Sequence, residues 1–144
     1  MSTFEEILEK DGKLVYKTKG VSMNPMLYQN RDLVVIEVPK GRLKKYDVAL
    51  YRRGKSYVLH RVIGVNEDGT YSIRGDNTYS IETVPESAVL GVLTSFVRNG
   101  QQYQVTDSAY LRYVKTWCAA YPLRSAYAHM KWYARSAAKK ILKK

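Results

Sequence analysis

The chain has 144 residues and a mass of 16.6 kDa, enough for one core and little more. Apolar types make up 45% and charged types 26%, which excludes a wholly disordered chain. The lone Cys118 excludes an internal disulfide framework and a multi-cysteine zinc site. The net charge of +11 is lopsided, with nine Lys/Arg against one Asp from Asp107 to Lys144 and 15 against 12 acidic residues before it.

Ser2 to Lys10 reads as a short helix. Ser2 and Glu5 have capping-box spacing, Phe4, Ile7 and Leu8 share a face, and Asp11-Gly12 stops it. Glu5, Glu6 and Glu9 make this segment unlike a secretory signal peptide. Strand-like runs follow at Leu14–Thr18, Leu33–Val38, Val48–Tyr51, Tyr57–Val65, Tyr71–Arg74 and Val89–Arg98, with Gln101–Val105 expected to pair back on the last. The turn signals are Lys40-Gly41, Arg53-Gly54, Asp68-Gly69 and Asn99-Gly100. Short strands, tight turns and no long helix between them predict a mainly β domain over residues 1–106, an antiparallel folded sheet or partly open barrel.

Residues 107–144 differ. They hold no glycine, and Pro122 is the only breaker. Leu111, Val114, Cys118 and Tyr121 recur at helical spacing before it; Leu123, Tyr127, Met130, Ala134, Ala137 and Ile141 do so after it. The expectation is a C-terminal pair of amphipathic helices jointed at Pro122, an appendage rather than a domain, with both tryptophans and five tyrosines. Its apolar stripes have three candidate partners: the β domain, a second copy of the chain, or an anionic membrane surface. Nucleic acid ranks below these, since no glycine turn of a helix-turn-helix separates the two helices. No run of about 18 apolar residues encodes a membrane span.

Candidate chemistry begins at Ser22, in Gly20-Val21-Ser22-Met23-Asn24-Pro25-Met26. It sits on a constrained loop between a strand end and a proline turn. Asn24 stands where the second glycine of the Gly-x-Ser-x-Gly elbow of α/β-hydrolases belongs, so the loop is not that elbow. Met23, Pro25 and Met26 flank the serine as candidate substrate contacts. His60, within an apolar strand, has an ordinary pKa of about 6.5 that suits a general base. His129 lies among basic residues of the tail and reads as surface. Gly75-Asp76-Asn77 is a turn whose carboxylate serves either to orient a histidine or to hold a loop; Glu82, six residues after Asp76, is a second partner for the histidine.

In order, Gly-x-Ser-Met-x-Pro, Arg31-Asp32 with its β-branched run, Tyr46-Asp47-Val48, His60-Arg61-Val62-Ile63-Gly64 and Gly75-Asp76-Asn77 resemble the signal peptidase I family over roughly residues 13–91. The likeness is to its Ser-His branch, found in the endoplasmic reticulum, archaea and some Gram-positive bacteria, and more distantly to the self-cleaving SOS repressors. It implies a mostly β fold, a serine endopeptidase that removes leader segments, Ser22 as nucleophile, His60 as general base and the Ser22 backbone amide as oxyanion donor. Asp76 matches the family's Gly-Asp-Asn aspartate, and Glu82 falls where the branch carries its second Asp. No metal or organic cofactor is implied. Family members carry an N-terminal membrane helix; with an acidic helix there instead, the expectation is a cytoplasmic enzyme, peripheral at the inner face of the membrane. The competing expectation is a degenerate peptidase that binds a leader peptide or a membrane surface without cutting.

Overall fold

A computed structural model describes residues 3–142, and the side chains of residues 3–139. The chain divides into two compact units, residues 1–111 and 112–144, with the boundary inside a helix.

The first unit opens with helix α1, Phe4–Asp11. Ser2 lies outside the described residues. The N-cap is Thr3, whose Oγ1 accepts the Glu6 N–H at 3.2 Å. Gly12, at φ +71°, closes the helix through its N–H to the Leu8 carbonyl at 2.8 Å.

Eight strands follow: β1 (Lys13–Lys17), β2 (Leu33–Glu37), β3 (Val48–Arg53), β4 (Ser56–Val65), β5 (Tyr71–Arg74), β6 (Glu82–Val84), β7 (Val89–Arg98) and β8 (Gln101–Gln104). They form one antiparallel sheet in the order β1-β2-β7-β3-β4-β5-β6, and β8 pairs with β7. The β-rich, antiparallel expectation holds, and the architecture is an open sheet. The Asn99-Gly100 turn carries φ values of +52° and +83°, the pair of positive angles that a two-residue type I′ hairpin requires. Strand β6 was not foreseen. Three residues are too few for a period to show, and Glu82-Thr83-Val84 becomes a strand only by pairing with Tyr71-Ser72-Ile73.

Alternation along the strands divides the side chains between two faces. Tyr51 and Ala49 on β3, Val62 on β4, Tyr71 and Ile73 on β5 and Val84 on β6 share one face and form a buried cluster with Leu43. His60 is in register with Ala49, and Glu82 with Ile73, so both project from that same face. Arg61, one residue on from His60, belongs to the opposite face.

The second unit holds most of α2 (Ser108–Ala119) and all of α3 (Tyr121–Leu142). The joint expected at Pro122 falls two residues earlier. Pro122 sits in the first turn of α3, where a missing N–H breaks no intrahelical bond. The Arg124 guanidinium lies 3.8 Å from the Trp117 ring centre, cation over aromatic face. No described helix is long and apolar enough to cross a membrane.

Candidate active site

Ser22 lies on the loop after β1. The Asn24 N–H bonds the Val21 carbonyl at 3.2 Å and the Leu27 N–H bonds the Met23 carbonyl at 3.0 Å, so the loop is a compact turn with a cis Asn24–Pro25 peptide. A second segment grips it from outside. The Asn77 backbone N–H donates to the Ser22 carbonyl at 2.8 Å, its side-chain amide donates to the Val21 carbonyl at 3.0 Å, and the Asp76 N–H approaches the Met23 sulfur at 3.4 Å. The Gly-Asp-Asn turn thus clamps the serine loop.

His60 meets that clamp at Gly75. A Cβ placed on Gly75 would lie 2.7 Å from the Ser22 carbonyl oxygen and 3.0 Å from both Nε2 and Cδ2 of His60. The Nε2 edge of the imidazole and the Ser22 backbone therefore close on one point that only a glycine leaves open. Gly75→Ala should push them apart, costing about 1–3 kcal/mol as an overpacked site does. Urea denaturation checks the stability. A variant as stable as the parent would show that the contact yields freely.

On its other side, His60 Nδ1 is 3.5 Å from the Tyr51 hydroxyl. Tyr51 donates its single proton to Glu82 Oε1 at 2.5 Å, and Arg53 grips the same carboxylate with Nε at 3.0 Å and a terminal nitrogen at 2.7 Å. With its proton committed, the Tyr51 oxygen can only accept from His60. A donor at Nδ1 would leave the Nε2 lone pair on the ring edge beside Gly75. Burial holds the His60 pKa below its ordinary value, the Arg53 cation adds to this, and Glu82 and Asp76 oppose it. Neutral pH therefore finds the ring uncharged, as a base must be. Hydrogen bonding from Arg53 lowers the Glu82 pKa and keeps that carboxylate ionised.

The two candidate carboxylates have separate tasks. Asp76 is taken up by Arg61, bidentate at 2.7 and 2.9 Å, both residues buried. Arg61 also donates to the Tyr46 carbonyl at 2.9 Å, the Tyr110 hydroxyl at 3.0 Å and the Met26 sulfur at 3.2 Å. Burial alone would lower the Arg61 pKa; the Asp76 charge more than reverses this. Asp76 thus holds the loop, and Glu82 reaches the histidine through Tyr51.

Ser22, His60 and Glu82 line one cavity of about 670 Å³, within the ordinary size range of ligand sites. Met23 lines it as well. Pro25 and Met26 are not among its lining residues: Met26 is buried against Arg61, and the Pro25 carbonyl accepts from Arg98 at 3.4 Å. Lys17, Lys19, Arg53 and Lys55 border the cavity with Glu82 the one carboxylate, so its lining is positive. Thr18 also lines it, with a buried hydroxyl that has no hydrogen-bond partner among the described residues. Among the described residues no group of three His, Cys, Asp or Glu side chains is placed to hold a metal ion. His129 is exposed, its Nδ1 2.7 Å from the Ser125 carbonyl one helical turn back.

Sequence reasoning missed Tyr51, Arg53 and Arg61 as site residues. Tyr51 and His60 are diagonal neighbours across β3 and β4, a relation that exists only once the register is fixed. Arg61 carried a signal, a charged residue within an apolar strand, which demands a buried partner.

Compared with known proteins, the chain matches no protein-family model and no curated sequence.

Proposed function

We propose that this chain is a serine endopeptidase of the signal peptidase I type, Ser-His branch, cutting a leader or signal-like segment from a peptide or protein. One observation carries the reading. Ser22 and His60, far apart in sequence, line the same cavity and close on the same point beside Gly75.

In the proposed reaction His60 Nε2 takes the Ser22 hydroxyl proton as Oγ attacks the scissile carbonyl. The resulting imidazolium donates from Nδ1 to Tyr51, and the Glu82 carboxylate beyond it offsets the new charge. The Ser22 backbone N–H stabilises the oxyanion, a contribution of about 3 kcal/mol to the barrier in comparable sites. His60 then protonates the leaving amine, and water repeats the cycle to release the acyl group.

A fluorophosphonate probe tests the reading without a known substrate. Mass spectrometry should place the adduct on Ser22, and His60→Ala should abolish it. An unlabelled wild-type chain, or equal labelling of the His60→Ala variant, would sink the assignment. A second reading, a module that holds a leader peptide without cutting, is favoured by the group at His60 Nδ1 being a tyrosine rather than a carboxylate. It predicts peptide binding with no adduct on Ser22.

A further inference from the structure

Helix α3 is amphipathic in an unusual sense. At 100° per residue, Leu123, Ala126, Tyr127, Met130, Tyr133, Ala134 and Ala137 fall within an arc of about 120° that contains no charged residue. A core-facing helix would bury that arc. Here every one of these residues is exposed, and Leu123, Tyr127, Met130 and Tyr133 are between 62% and 76% exposed. The half-buried residues of α3 — Tyr121, Arg124, Ser125, Ala128 and Ser136 — lie on the opposite side. The helix thus offers its apolar face outward.

Its charges say what that face fits. From Ser108 to Lys144 there is no acidic residue. Lys131 and Arg135 lie along one flank of the apolar arc, and side chains of this kind lay their stems on apolar surface while keeping their cations in a polar layer. Apolar rings and aliphatic chains bordered by cations match the boundary between lipid tails and anionic headgroups. A second copy of the same face would bring like charges together. Nucleic acid needs the cations but gives an apolar arc nothing to bury against. Five Lys/Arg within the 22 residues of α3 rule out spanning.

We infer that α3 lies flat on anionic bilayers, its Leu123–Met130–Ala137 face in the headgroup boundary, so that the chain is a peripheral membrane protein. This does not depend on the peptidase reading. The test is co-sedimentation of the full chain with vesicles of phosphatidylcholine alone and of phosphatidylcholine with an equal part of phosphatidylglycerol. Binding should be at least about tenfold tighter to the anionic vesicles and should weaken markedly in about 0.5 M salt. Met130→Asp should weaken it about tenfold or more, and Met130→Ala by a smaller factor with no change in charge. Trp132→Asp makes the same charge change about 160° around the helix and should cost about threefold or less. Circular dichroism melting of each variant verifies folding. Failure to bind, equal binding to both vesicles, or equal losses for Met130→Asp and Trp132→Asp would overturn the inference. So would self-association or duplex DNA binding that Met130→Asp abolishes and Trp132→Asp spares.

Discussion

Arg61→Met should destabilise the chain by about 3–5 kcal/mol, the range for removing one partner of a buried ion pair. The arginine is 1% exposed and holds four groups at once: the Asp76 carboxylate, the Tyr46 carbonyl, the Tyr110 hydroxyl and the Met26 sulfur. Methionine fills much of the volume but leaves a buried carboxylate without its cation. The pair should be worth far less than the cost of breaking it. Arg61→Met combined with Asp76→Leu removes both charges and should recover a large share of the loss, because no ion is then buried alone. Urea denaturation at neutral pH measures both. A single-variant loss below about 1 kcal/mol would place the pair among surface-type bridges and remove its structural role. The same variants test the link to the site. Asp76 precedes Asn77, whose two hydrogen bonds hold the Ser22 loop, so the Arg61→Met chain should label more slowly at Ser22 even where it remains folded.

The strands were legible because β-branched runs and turn residues coincide. Leu33–Glu37 shows it best: a β-branched run closed by Pro39, in which Val34 and Ile36 are fully buried between less buried neighbours. What pattern leaves open is whatever depends on which strands meet. Asp76 and Glu82 were equal candidates for the histidine because both follow it at workable spacing. The fold separates them by face. Arg61 projects opposite to His60 and captures Asp76, while Glu82 enters the His60 face through register with Ile73. Tyr51 was invisible as a site residue for the same reason: a buried strand tyrosine is ordinary until a histidine is placed diagonally across from it. The apolar stripe of α3 was legible, but its outward orientation was not. Periodicity tells which residues share a face and is silent on which way that face looks.

The relay behind His60 makes a sharper prediction than the loss of the base itself. Ser22→Ala should leave no fluorophosphonate adduct, and His60→Ala should slow labelling by up to about 10⁶-fold, as removing one member of a catalytic serine-histidine pair does. Tyr51→Phe and Glu82→Gln should each slow labelling by about 10- to 100-fold, below the 10⁴ lost when a directly bonded carboxylate is neutralised. Their pH profiles should differ. The base acts only when neutral, so labelling falls as pH drops through the folded His60 pKa. Burial and Arg53 hold that pKa below its ordinary value, so the acidic limb should lie below about pH 6.5. The sign for stability is the same: a histidine kept neutral by the fold contributes stability above its unfolded pKa, and this is lost as pH falls through the folded one. Glu82 favours the imidazolium, so Glu82→Gln leaves only Asp76 to oppose Arg53 and should move the limb lower still. Tyr51→Phe keeps both charges; it should depress the plateau while shifting the limb little. An acidic limb above pH 7 would show that burial and Arg53 do not set the His60 pKa, and a Glu82→Gln profile displaced upward would show that the carboxylate does not favour the imidazolium.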